Sequence, residues 1–272
     1  MRANILAGTW TVDSNTLVAL RLREADKALA DGRLDHALIE AEELLDEHPS
    51  HPRALEIVSQ AALEMGDVVM ALEGLNRFME LHNPGPKVLH TLAVARFEAV
   101  DFPGALAASE QATGLDTRLA AAWHYQGLAL ERLGKPATAQ ARFQRAADLE
   151  PSRFPVPTQW EILPWEQLLE DALEATAQPI QGFYDGIPIK WADFPAIEDL
   201  LENYPPLSPF TDAMYRGQPP ANGDPWVNRP TQVTLFQGNL SRPSHAHADL
   251  VNRLTEALMH EAMHWLGVAE MD

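Results

Sequence analysis

The chain has 272 residues, 46% of them apolar and 22% charged, an ordinary balance for globular protein and enough length for two domains. Its net charge of −19 disfavours nucleic acid and anionic membrane surfaces as partners, because phosphate contacts need clustered lysine and arginine. There is no cysteine, which excludes disulfides and thiolate metal sites, and no run of 18 apolar residues, so a cytoplasmic protein without a membrane span is expected by default. The opening Met1-Arg2-Ala3-Asn4-Ile5-Leu6-Ala7-Gly8 is too short and too weakly apolar for a signal peptide.

After a lead-in over residues 1–17, residues 18–153 repeat themselves at a fixed period. Ala37, Ala71, Ala105 and Ala139 are spaced by 34, and so are Gly32, Gly66, Val100 and Gly134, with valine the one departure. In phase with them stand Ala41, Leu75, Ser109 and Phe143, and then Leu44, Phe78, Ala112 and Ala146. Small residues at fixed points let paired helices approach, large ones fill the gaps, and glycine turns one helix into the next. The pattern resembles the tetratricopeptide repeat, and four units fit, at about 18–51, 52–85, 86–119 and 120–153. No unit buries its own apolar face, so the units are expected to stack into an all-α superhelix. That resemblance implies a protein or peptide partner in the groove. Arg53, Gln60, Lys87, His90 and His124 are groove-facing candidates, but they form no uniform charge clamp.

The character then changes. Fourteen of the 21 prolines lie between Pro151 and Pro230, and residues 154–159, with Pro155-Val156-Pro157, read as a stiff linker. Residues 164–177 read as a helix, with Pro164 in its first turn and Leu168, Leu169, Ala172 and Leu173 on its apolar side. Residues 186–191 read as a short strand that proline places at an edge or an end, 199–223 as proline-rich loop, and 231–237 as the best strand of the chain, broken by Gly238-Asn239. A last helix is expected from Ser244 or Asp249, either of which can cap it. Its stripe is Leu250, Val251, Leu254, Leu258, Ala262 and Trp265, and Gly267 ends it. Residues 156–272 hold 5 basic and 17 acidic side chains, a balance that attracts cations and basic peptides.

That last helix carries His260-Glu261-Ala262-Met263-His264. Histidines four apart share one helix face, about 6 Å apart along the axis, and point away from the apolar stripe. Both imidazoles can therefore reach one Zn²⁺, and the glutamate between them lies beside the metal as a general base. A third ligand is needed. Glu270, three residues past the turn glycine, gives the string HExxHxxGxxE, and Asp272 or the terminal carboxylate is the alternative. His245 and His247 are read as loop histidines.

Residues 160–272 resemble the small bacterial minimal zincin metallopeptidases in the segments LLEDALEATAQ, PTQVTLFQGNLSR and HEAMHWLG. The family pattern usually has aspartate where this chain has Glu270. The resemblance implies a small α+β domain with a mixed sheet under the site helix, so the whole chain is expected to be a multi-domain protein of a repeat superhelix followed by that domain. The expected activity is zinc-dependent peptide hydrolysis, with His260, His264 and Glu270 holding the metal and Glu261 as base. The strand 231–237 is expected to receive the peptide, and the repeats to recruit it. Deleting residues 1–155 should then reduce turnover of the native substrate but spare that of a short generic peptide. The alternative is a repeat adaptor whose C-terminal domain binds metal without catalysis. Tyrosine and histidine give no oxyanion stabiliser from sequence.

Overall fold

The computed structural model describes residues 14–157, 164–202, 204–219, 224–242 and 246–268. It is a helical repeat array followed by a small α+β region with a three-stranded mixed sheet. No helix among the described residues is long and apolar enough to cross a membrane. By its internal contacts the chain divides into two compact units at Ala129 and Leu130, inside the fourth of the repeats read from the sequence.

In the first unit the helices α1 (Ser14–Ala30), α2 (Leu34–Glu47), α3 (Pro52–Glu64), α4 (Val68–Leu81), α5 (Pro86–Glu98) and α6 (Phe102–Leu115) pack as antiparallel neighbours, each on the next. The periodic positions are the ones that go inside: Ala37, Ala71 and Ala105 are all fully buried, as are Ala41, Leu75 and Ser109. Aspartates open two of the second helices, Asp67 accepting from the Met70 N–H and Asp101 from the Gly104 N–H, each at 2.9 Å.

The turn position shows why glycine recurs there. Gly32, Gly66 and Gly134 have φ of 71°, 82° and 70°, the left-handed region, and Val100 takes the same conformation at φ 65°. A β-branched residue is strained in that region. Val100 is also buried, so apolar burial offsets a backbone cost of about 1–2 kcal/mol. The register of the array, not the residue, dictates the backbone there.

The second unit starts within α7 (Ala120–Arg132) and continues with α8 (Pro136–Leu149), α9 (Trp165–Ala175) and α10 (Gln178–Tyr184). There follow β1 (Ile189–Ala192), α11 (Ile197–Leu200), β2 (Ala213–Arg216), β3 (Gln232–Phe236), α12 (Gln237–Ser241) and α13 (His247–Leu266). The strand order is β1-β3-β2, with β1 parallel and β2 antiparallel to β3. Val233 and Leu235 of β3 meet Leu250, Leu254, Leu258 and Ala262 of α13 and Leu168 and Ala172 of α9 in one core.

Three sequence expectations change here. The strand over residues 231–237 lies in the middle of the sheet with a partner on both sides, so it cannot accept a peptide as an added strand. A strand, β2, lies within the stretch read as proline-rich loop, and it forms one edge of the sheet, opposite β1. Gly238-Asn239 does not simply break β3, because the chain turns at once into the short helix α12. Gly238 is there for close approach: an added Cβ would stand 2.2 Å from Phe194 and 2.7 Å from the Asp193 carbonyl.

Candidate metal centre

The site is built on α13. The helix opens at Ala246, whose N–H is taken at 3.0 Å by the side chain of Asp249, and closes at Gly267, which adopts φ 65°. The expected stripe is buried as a face: Leu250, Leu254, Leu258, Ala262 and Trp265 are within the core and Val251 packs against it. His260 and His264 are exposed on the other side, with ring centroids 4.4 Å apart and ring planes at 67°. Rings this close on one exposed helix face can present nitrogens to one ion at the usual zinc–nitrogen distance of about 2.1 Å. The donors are also of the type zinc prefers.

Glu261 is different in kind. It is buried, and one carboxylate oxygen, Oε2, accepts the Tyr215 N–H of β2 at 3.1 Å. Burial pushes its pKa up from the usual 4.5 to about 7, against the opposing effect of that hydrogen bond. The phenols of Tyr184 and Tyr215 are raised first by their own burial and then by the charge of Glu261. Tyr184 donates its hydroxyl to the Leu258 carbonyl at 2.6 Å, fixing the middle of the helix. The Tyr215 ring stands edge-on to Trp265 at 5.1 Å, and Trp265 is fixed in turn by donating to the Asn228 carbonyl at 2.8 Å.

Two cavities meet at these residues. One, of about 500 Å³, is lined by Glu202, Leu207, Met214, Tyr215, Gly217 and His264 among others. The second, of about 420 Å³, runs along Ser208, Phe210, Asp212 and Glu256. Both share Thr211, Ala213, His260 and Glu261, so a single cleft follows the β2 edge past the histidines. Gly217 lets the cleft wall close on the helix, since a Cβ there would be 3.1 Å from Trp265.

Of the residues proposed from sequence, the structure brings His260, Glu261 and His264 to one cleft. Glu270, Asp272 and His245 lie outside the described residues. Among the described residues, no group of three or more histidine, aspartate or glutamate side chains converges as a metal-binding set. His247 faces Asp171 at 3.2 Å, away from the cleft. Of the groove candidates, Arg53 is engaged within the array by Asp26 and Glu56, each at 2.6 Å. Sequence reasoning missed Tyr215, Glu202 and the whole β2 edge. The available signal was Ala213-Met214-Tyr215, a short apolar run without proline inside a proline-rich stretch.

Residues 169–272 match the family described as Zincin-like metallopeptidase. The zincin-like domain thus contains the cleft, both histidines and the edge strand, and it follows the tetratricopeptide-like array. No curated protein matches the chain. Among solved structures, MamA is similar at 23% identity over 47% of this chain and 74% of that one, with a TM-score of 0.43. YrrB, described as a TPR protein with an unusual peptide-binding site, is similar at 15% identity over 48% of this chain and 68% of that one, TM-score 0.44. TTC0263, a TPR protein in Thermus thermophilus, is similar at 26% over 49% of this chain and 75% of that one, TM-score 0.44.

Proposed function

We propose that the protein is a zinc-dependent peptidase whose repeats, residues 18–153, recruit a protein or peptide and whose zincin-like domain, residues 160–272, hydrolyses it. The observation that carries this reading is the pairing of exposed His260 and His264 with buried Glu261 in one cleft along an open sheet edge. His260 and His264 would hold the zinc, with Glu270 as the third ligand. Zinc in such a site lowers the pKa of a bound water and polarises a carbonyl.

The chain's own residues do the rest. Glu261 keeps Oε2 on the Tyr215 N–H, so Oε1 is the oxygen that takes a proton and returns it to the leaving amine. A buried carboxylate beside the metal is placed to make both transfers. The outer edge of β2 has no strand partner among the described residues, and apart from the Tyr215 N–H, which Glu261 takes, its backbone groups would meet an extended peptide lying along it as a fourth strand. Trp265 and Tyr215 hold each other and so fix the carboxylate's donor.

The cleft favours cationic peptides. Glu202 and Glu256 line its two arms, and no lysine or arginine is among the described residues lining either one. Nearby arginines are engaged: Arg253 with Asp212 at 2.8 Å, and Arg216 with Asp199 at 2.9 Å. Replacing both Glu202 and Glu256 with lysine should lower kcat/KM for a lysine-bearing peptide about tenfold and raise it for an acidic one, since two exposed charges are each worth under about 1 kcal/mol. Equal effects on both peptides would exclude the charge preference.

The reading is tested by metal analysis of pure protein followed by a peptide-library digest. Stoichiometric zinc in wild type, its loss in His260→Ala, and cleavage only by the zinc-loaded protein are expected. Zinc-loaded wild type that cleaves no peptide in a broad library would leave only a metal-binding module.

A further inference from the structure

Arg132, the last residue of α7, lies in the segment read as the fourth repeat, yet its hydrogen bonds go to the cleft wall. Its guanidinium donates to the Pro209 carbonyl at 2.9 Å and to Asn239 Oδ1 at 2.7 Å. It also lies over the ring of Phe194, 3.7 Å from the centroid. Asn239 is buried, and its amide donates to the carbonyls of Pro209, at 2.9 Å, and Thr211, at 2.6 Å. The neighbouring residue, Glu131, pairs with Arg242 just beyond α12, and both side chains are largely shielded from water. Two side chains thus hold the carbonyls of the segment that leads into β2, and one of them comes from the array. That segment supplies Ser208, Phe210, Thr211 and Asp212 to the cleft.

We infer that Arg132 is a positioning residue for substrate binding: it fixes residues 208–212, which form the cleft wall and set the entry to the β2 edge. The inference rests on the peptidase reading for its kinetic consequence but not for its structural one. A backbone segment anchored by a charge-assisted hydrogen bond and a buried amide stays in one conformation, so an incoming peptide does not have to order it. The groups that would hold the metal and carry the proton are elsewhere, on α13. Loss of Arg132 should therefore weaken peptide binding more than it slows the chemical step. A chain lacking residues 1–155 also loses Arg132 and Glu131, so it should bind even short peptides less tightly than the full chain.

The test compares full-length wild type, Arg132→Ala and Arg132→Lys, all zinc-loaded. Amide hydrogen exchange over residues 208–213 should speed up at least tenfold in Arg132→Ala, while residues 250–262 of α13 and the zinc content are unchanged. With a cleavable peptide, KM should rise about tenfold with kcat within threefold. Arg132→Lys keeps the charge over Phe194 and one hydrogen bond, and should recover part of both effects. If Arg132→Ala does not fold, the exchange measurement on Arg132→Lys decides. Unchanged exchange at residues 208–213 in the folded variant overturns the inference, as does a fall in kcat that matches the rise in KM. Should the protein cleave nothing, the peptidase reading fails, whereas the exchange result still settles the role of Arg132.

Discussion

Glu261→Gln should abolish peptide hydrolysis, lowering kcat by at least about a thousandfold, while zinc stays bound. General acid–base catalysis contributes typically 10²–10⁴-fold, and here one carboxyl would serve both as base and as acid. Gln retains the shape and can still accept the Tyr215 N–H that Glu261 accepts at 3.1 Å, so the strand and the two histidines should not move. The same substitution has a second, opposite effect that a purely catalytic residue would not show. In the metal-free protein the Glu261 carboxyl has its pKa raised by burial from 4.5 to about 7. The native state therefore holds a proton that the unfolded chain has lost between those values. That contribution to stability is fully present below pH 4.5 and disappears as pH rises through 7. At pH 8 the folded protein must carry a buried, ionised carboxylate, at a cost of up to about 3 kcal/mol. Metal-free Glu261→Gln should then melt several degrees higher than wild type at pH 8 and at the same temperature below pH 4.5. Thermal melts across pH in the presence of chelator measure this. A variant no more stable at pH 8 than wild type would mean the carboxylate is better solvated than its burial implies.

Gly238→Ala should destabilise the second unit by about 3 kcal/mol, although it adds one methyl to a helix. The new carbon would be 2.2 Å from Phe194 Cε1 and 2.4 Å from Cζ, with the Asp193 carbonyl at 2.7 Å. Relief requires α12 to move off β1 or the ring to turn. Movement is opposed because the Gly238 N–H donates to the Asp193 carbonyl at 2.8 Å, and turning is opposed because the Arg132 guanidinium lies 3.7 Å from the ring centroid. Overpacking of this kind costs about 1–3 kcal/mol, and the backbone contact places this case at the upper end. A drop in melting temperature of roughly 6–12 °C is expected for a unit of this size. Gly182→Ala is the control, since a methyl there meets nothing within 4 Å and should leave stability unchanged or slightly improved. If the two variants melt alike, the close approach of α12 to Phe194 is wrong.

These two glycines also show where sequence reading stops. Gly182 and Gly238 look alike in sequence. One sits in open space and the other is a contact point, because Phe194, forty-four residues away from Gly238, is folded against it. The same holds for Asn239, which reads as a strand breaker and is in fact a buried hydrogen-bonding centre for the cleft wall. It holds again for Val100, where the 34-residue period located the turn and the valine concealed its left-handed backbone.

Periodicity determined what it could reach. A period of 34 identified the repeat helices and their buried alanines, and a period of 3.6 placed the stripe of α13 inside and His260 and His264 outside. Both follow from local geometry, because side-chain direction along a helix is fixed by the helix itself. Only the tertiary structure decided that β2 is the edge strand beside the histidines, that Glu261 is buried against Tyr215, and that Arg132 from the repeat segment holds the cleft wall. The carboxylate's strand partner and the arginine's two acceptors lie 46, 77 and 107 positions away, and no local period carries that information.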